Sequence, residues 1–254
     1  MAVEGTHGPR VLDSFVVCPN DEANLPASPN GAHGLDDALH DYATDWSASE
    51  PEGLAALRRA TWTQTVKPQM LCDELQGRLL ASFSRMIAPK RVLELGTFTG
   101  YATACLAEGL ASDGRLDTVD IDDELHDLHD EHWPQLGCAD RIHRHVGRAL
   151  DVLESGALFQ EDPNRFDLVF IDADKANQRT YVDWAIDHVR DGGWILVDNV
   201  LWWGDVLRVA AGTSDDPQAV RIHELNAHMK GHPALDNLLL PLRDGLHMAR
   251  RLPR

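Results

Sequence analysis

Apolar positions follow two spacings along this chain. The stretch 73–86 sets Leu75, Leu79, Leu80 and Phe83 on one face, which predicts an amphipathic helix. After Pro89 short apolar runs take over and predict strands at 91–95, 116–121, 141–146, 167–171, 193–197, 238–241 and 246–250. Helical stretches fill the first gaps: "YATACLAEGLA", "DELHDLHDEHWPQL", "ALDVLESGAL" and "ANQRTYVDWAIDHV". Strands alternating with helices imply right-handed crossovers, hence an α/β fold whose mostly parallel sheet is covered on both faces. Only "LRDG" separates the last two strands, which suits a hairpin and so an antiparallel end to the sheet. Upstream, 35–59 reads as helical, with Ser49 as N-cap and Pro51 near the first turn. Residues 1–34, rich in Pro, Gly, Asn and Ala, read as a flexible arm before a single domain over 35–254.

Length and composition narrow the class. With 254 residues, 43% of them hydrophobic, the chain suits one full-sized core. No apolar run reaches the roughly 18 residues of a membrane span. The N-terminus has no basic start or long apolar middle, so a cytoplasmic protein is expected. Cys18, Cys72, Cys105 and Cys138 are widely spaced and form neither a disulfide scaffold nor a zinc site. The formal net charge is -18, and lysine occurs only at 67, 90, 175 and 230. Such a surface repels polyanions, which disfavours nucleic acid as a partner; it is also what adaptation to high salt would produce.

Two places carry the chemistry. In "RVLELGTFTGYATACLAEG", Gly96 and Gly100 frame a turn between strand and helix, where glycine admits a close ligand and the helix start offers free N–H donors. The spacing is not GxGxxG, so the dinucleotide fingerprint is absent. Glu94 precedes the turn and suits a cationic amino group, while Asp120, ending the second strand, suits a ribose diol. Together they fit S-adenosylmethionine better than NAD. The second place is "FIDADKAN" with "VDNVLWWG", two core strands that end in acids at the same sheet edge. Asp172, Asp198 and Asn199 there form an all-oxygen set for a hard divalent cation: Mg²⁺, Ca²⁺ or Mn²⁺. Lys175, three residues past Asp172, is placed as general base for a hydroxyl.

These segments, with "PQMLCDELQGRLL" and "LRDGLHMARR" in the same order, resemble the cation-dependent class I O-methyltransferases of the caffeoyl-CoA and catechol group over residues 35 to 254. The resemblance implies a Rossmann-like class I methyltransferase fold: seven strands, mostly parallel, the last antiparallel, with helices on both faces. It implies methyl transfer from S-adenosylmethionine to one hydroxyl of a vicinal dihydroxy-aromatic small molecule. Carried over by motif, Asp172, Asp198 and Asn199 are metal ligands and Lys175 is the catalytic base beside Asp172. Met70, Glu94, Gly96, Thr97, Gly100, Tyr101, Ala102, Asp120, Ile121, Ala149, Asp172, Asp174 and Tyr181 correspond to cofactor positions. Met70, Lys175, Asn199 and Trp202 correspond to the acceptor side. A homodimer is implied. The chain departs from its relatives at Ala102, Ala149 and Gln178. Arg208 and Arg221 are available for an anionic tail on the acceptor. Methylation of a hydroxylated tRNA base and non-catalytic cofactor binding stand as alternatives, the first opposed by the acidic charge and the second by the intact acid and lysine set.

Overall fold

The computed structural model describes residues 37–159 and 165–253. The arm expected over 1–34, and Cys18 within it, lie outside the described residues. The helices are α1 (Asp37–Asp45), α2 (Glu52–Gln64), α3 (Glu74–Ile87), α4 (Tyr101–Ala107), α5 (His126–His132), α6 (Ala149–Ser155), α7 (Gln178–His188), α8 (Asp205–Ala210) and α9 (Pro217–Gly231). The strands are β1 (Arg91–Leu95), β2 (Arg115–Asp120), β3 (Ile142–Val146), β4 (Phe166–Ile171), β5 (Val189–Asp198), β6 (Leu235–Leu240) and β7 (Leu246–Arg251).

All seven strands join one sheet in the order β3-β2-β1-β4-β5-β7-β6, with β7 antiparallel to both neighbours. Side chains alternate across it. Val92, Leu168, Phe170, Leu196 and Met248 pack toward α2, α3 and α4, while Leu93, Leu95, Val169, Ile171, Ile195 and Val197 pack toward α6, α7 and α9. Burial on both faces is why these strands read as continuous apolar runs. Each fully buried aliphatic or phenyl side chain contributes about 1.5–3 kcal/mol. No helix among the described residues is long and apolar enough to cross a membrane.

Two expectations at helix starts and strand ends are corrected. Ser49 does not cap α2; Pro51 occupies the N-cap, its fixed φ of -55° leading the chain into the helix. The fifth strand begins at Val189, not 193, because a register shift opposite Phe166 and Leu168 takes polar Arg190 and Asp191 into the strand.

Candidate active site

The parallel strands β1, β2 and β4 deliver their carboxyl ends to one edge. The Gly96 amide donates to the Val119 carbonyl at 2.9 Å, and the Asp172 amide to the Leu95 carbonyl at 2.8 Å. A cavity of about 1090 Å³ opens at this edge. That volume exceeds most single-ligand pockets and suits a cofactor and acceptor side by side.

Gly96 has φ +98°, and a Cβ on it would come within 2.1 Å of the Asp172 carbonyl oxygen. The glycine is therefore required for two strand ends to meet, and it also lines the cavity. Gly100 has a different reason. It caps α4 with φ +77°, but a Cβ there would strike the Trp133 indole at 2.5 Å, and the indole N–H donates to the Gly100 carbonyl at 3.1 Å. The room made at Gly100 is taken by a tryptophan rather than left for a ligand. Tyr101 also faces inward, donating its hydroxyl to Glu50 at 2.6 Å, and Ala102 packs against the core. Neither lines the cavity.

Glu94 is fully buried behind the turn. Thr103 and Thr118 donate to its Oε2 at 2.5 and 2.6 Å, and its Oε1 has no partner. Burial pushes its carboxyl up to about 8, with the threonine donors opposing. Glu94 does not itself line the cavity, though Gly96, two residues on, does; a buried oxygen lacking a donor is the environment that an ammonium group would complete. Asp120 lines the cavity, and its Oδ2 accepts the Thr97 and Phe98 amides at 3.0 and 2.7 Å. It is no cap for α5, whose N-cap is Leu125; it holds the glycine turn in shape. Thr97 itself is buried, hydroxyl to hydroxyl with Thr118 at 2.6 Å.

Where β4 and β5 end, the Lys175 ammonium gathers three oxygens: Asn199 Oδ1 at 3.1 Å, the Asp198 carbonyl at 3.2 Å and Asp172 Oδ1 at 3.5 Å. Burial and the neighbouring Asp198 carboxylate raise Asp172 to about 7, while Lys175 pulls it down. Asp172, Lys175 and Asn199 line the cavity; Asp198, 2% exposed, stands just behind them. Its Oδ2 accepts from Gln76 at 2.7 Å and its Oδ1 from the Asn199 amide at 2.8 Å. Each carboxylate oxygen has two lone pairs, so these bonds leave acceptor capacity for a cation. Among the described residues, no group of three or more His, Cys, Asp and Glu could hold a metal; this set has two carboxylates and an amide. Asp174 is held by Tyr181 at 2.5 Å and by Asn177, shaping the turn into α7.

Met70, Ile121, Ala149, Asp174, Tyr181 and Trp202 all line the cavity, as do Phe98, His129, Lys67, Trp203 and Arg243, which the sequence reading had not singled out. Six non-glycine residues among those described have positive φ, and five of them, Phe98, Asn199, Trp202, Trp203 and Arg243, line this cavity. Such clustering of strained backbone is characteristic of working sites. Asp244 holds the loop carrying the tryptophans, accepting from the Trp203 amide at 2.6 Å. Gln178 donates to the Asp198 carbonyl at 3.3 Å. Arg208 and Arg221 lie away from the cavity, paired locally with Asp205 and Gln218.

The chain is similar to proteins of known family. The family model described as O-methyltransferase matches residues 44–252. The catechol O-methyltransferase of Mycobacterium tuberculosis is 38% identical over 66% of this chain and 73% of its own length. Caffeoyl-CoA O-methyltransferase 5 of Nicotiana tabacum is 31% identical over 85% of this chain and 92% of that protein. The crystal structure of an O-methyltransferase from Bacillus cereus with SAH superimposes with a TM-score of 0.75 at 29% identity, covering 84% of this chain and 97% of that one. With that match across nearly the whole described domain, the chain belongs to the O-methyltransferase family and is a methyltransferase dependent on S-adenosylmethionine.

Proposed function

We propose that the enzyme methylates one hydroxyl of a vicinal dihydroxy-aromatic small molecule, with a divalent cation, Mg²⁺ foremost, held by Asp172, Asp198 and Asn199. The observation that carries this reading is the meeting of Asp172, Asn199 and the Asp198 backbone around one lysine ammonium inside the cavity. Oxygen-only donors select hard cations, and a crowded carboxyl raised to about 7 is one that a bound cation would relieve. A cation bound there supplies positive charge that favours the ionised acceptor hydroxyl.

The chain's own residues do the rest. The acceptor proton goes to Nζ of Lys175 in its neutral form, which stands among Asp172, Asn199 and the Asp198 carbonyl. Glu94, Asp120 and the glycine turn, whose shape the Thr97 amide helps hold by donating to Asp120, fix the cofactor, with Met70, Ile121, Ala149, Asp174 and Tyr181 around it. Met70 and Trp202 bound the space where an aromatic ring lies. Because the sulfonium is a good leaving group, alignment of donor and hydroxyl supplies most of the rate. By the same likeness a homodimer is expected, and exposed Tyr42 on α1, Trp46 in the turn after it and Trp62 on α2 supply apolar surface for it; sedimentation equilibrium tests this.

The test is a screen with labelled S-adenosylmethionine and Mg²⁺ over catechols, flavonoids, caffeoyl thioesters and their monohydroxy analogues. Transfer confined to vicinal diols is expected. Equal transfer to monohydroxy analogues would overturn the reading.

A further inference from the structure

Asp198 is not held by its strand alone. Its Oδ2 accepts from the Gln76 side-chain amide at 2.7 Å, across the sheet edge from the first turn of α3. Gln76 is 1% exposed, so its amide must find partners within the protein. The Gln76 Oε1 accepts from Arg243 Nη1 at 3.0 Å, and the Arg243 Nε lies 3.3 Å from Asp73 Oδ2. Asp73 in turn caps α3 by accepting the Gln76 backbone amide at 2.8 Å. Arg243 sits in the β6–β7 turn with φ +48°, a conformation that costs a non-glycine residue energy and is kept here.

The chemistry of these groups fixes a direction. An amide's two ends are nearly the same size, so packing alone does not orient it. A guanidinium only donates, so it must meet the amide oxygen; a carboxylate only accepts, so it must meet the amide nitrogen. Arg243 thus prevents the Gln76 amide from turning its oxygen toward Asp198.

We propose that Arg243 and Gln76 are positioning residues that aim the Asp198 carboxylate for cation binding, Arg243 acting through the Gln76 amide. This rests on the reading of Asp198 as a cation ligand. A purely electrostatic role for Arg243 would act in the opposite direction: a positive charge this close repels a cation, so its removal would tighten binding.

The experiment is Mn²⁺ titration of the full chain, free Mn²⁺ being followed by electron paramagnetic resonance. Near-ultraviolet circular dichroism and product-cofactor binding serve as checks of fold. Gln76→Leu is expected to weaken Mn²⁺ binding about 10- to 100-fold, the usual loss when an outer-sphere partner is removed. Gln76→Met, which keeps the chain length and loses only the amide, should lose as much. Arg243→Leu should weaken it several-fold, and in the Gln76→Leu background should weaken it no further, because neighbours acting through one contact are not additive and only the loss of repulsion is left. Tighter binding in Arg243→Leu, or binding within twofold of the parent in either Gln76 variant, overturns the relay while leaving the cation site standing. Equal binding by the parent and Asp198→Ala overturns the cation-site reading and the relay with it.

Discussion

Replacing Glu94 by glutamine keeps the side chain's shape and removes its charge. In the free protein the carboxyl is fully buried with Oε1 unpartnered, and its pKa stands at about 8. At pH 6 to 7 it is therefore largely protonated, and binding an ammonium against it releases that proton. Affinity for S-adenosylmethionine should strengthen by up to about tenfold from pH 6 to 7 in the parent through this group. In Glu94→Gln that part of the slope vanishes. A hydrogen bond to a charged group contributes about 1.5–3 kcal/mol, so at pH 8 the variant should bind about 10- to 150-fold more weakly. Isothermal titration calorimetry in buffers of different ionisation enthalpy counts the protons, and the difference between the two proteins isolates Glu94. Stability moves oppositely. A raised carboxyl pKa means that the native state holds its proton longer than the unfolded chain. The ligand-free parent therefore loses stability relative to Glu94→Gln as pH climbs from 4.5 toward about 8, at up to about 1.4 kcal/mol per unit. Equal proton release by the two proteins, with equal affinity at pH 8, would refute the assignment of Glu94 to the cofactor's amino group.

Three further outcomes follow from the same geometry. Asp198→Ala should abolish turnover while product-cofactor binding by calorimetry largely survives, since Asp198 stands behind the end of the cavity proposed for the acceptor. Gly96→Ala should cost more than the about 1–2 kcal/mol of a left-handed φ alone, because its Cβ meets the Asp172 carbonyl at 2.1 Å; a melting temperature within a degree of the parent would contradict the close approach. Trp202→Ala should raise the acceptor KM about 2- to 10-fold, the range of an aromatic contact, with a smaller effect on cofactor KM in steady-state kinetics.

Much of the sheet was legible because its central strands are buried on both faces. Leu93 and Val169 face one helix layer, Val92 and Phe170 the other, so both periodic positions are apolar and the runs stand out. The sixth strand starts three residues before the apolar run at 238, because Asp236 and Asn237 follow its first residue, Leu235, and Asn237 is spent on the Met229 carbonyl and His247. The acid cluster was legible because Asp172 and Asp198 end parallel strands. The reason for Gly100 was not, since it lies in Trp133 of another segment. Nor was the Gln76–Arg243 contact, which joins residues 167 apart in the chain and becomes visible only once the hairpin folds back on α3. His129 likewise reads as surface in a histidine- and acid-rich stretch; in the fold it is buried, stacked on Trp133 with centroids 4.3 Å apart and bonded to the Phe98 carbonyl.

The central claim is that two strand ends grip a divalent cation where the acceptor hydroxyl is ionised. Its most direct test is transfer of a labelled methyl group to a catechol by enzyme stripped with EDTA, then resupplied with Mg²⁺. Turnover should fall to background when stripped and return with Mg²⁺. Undiminished turnover in excess EDTA would contradict it.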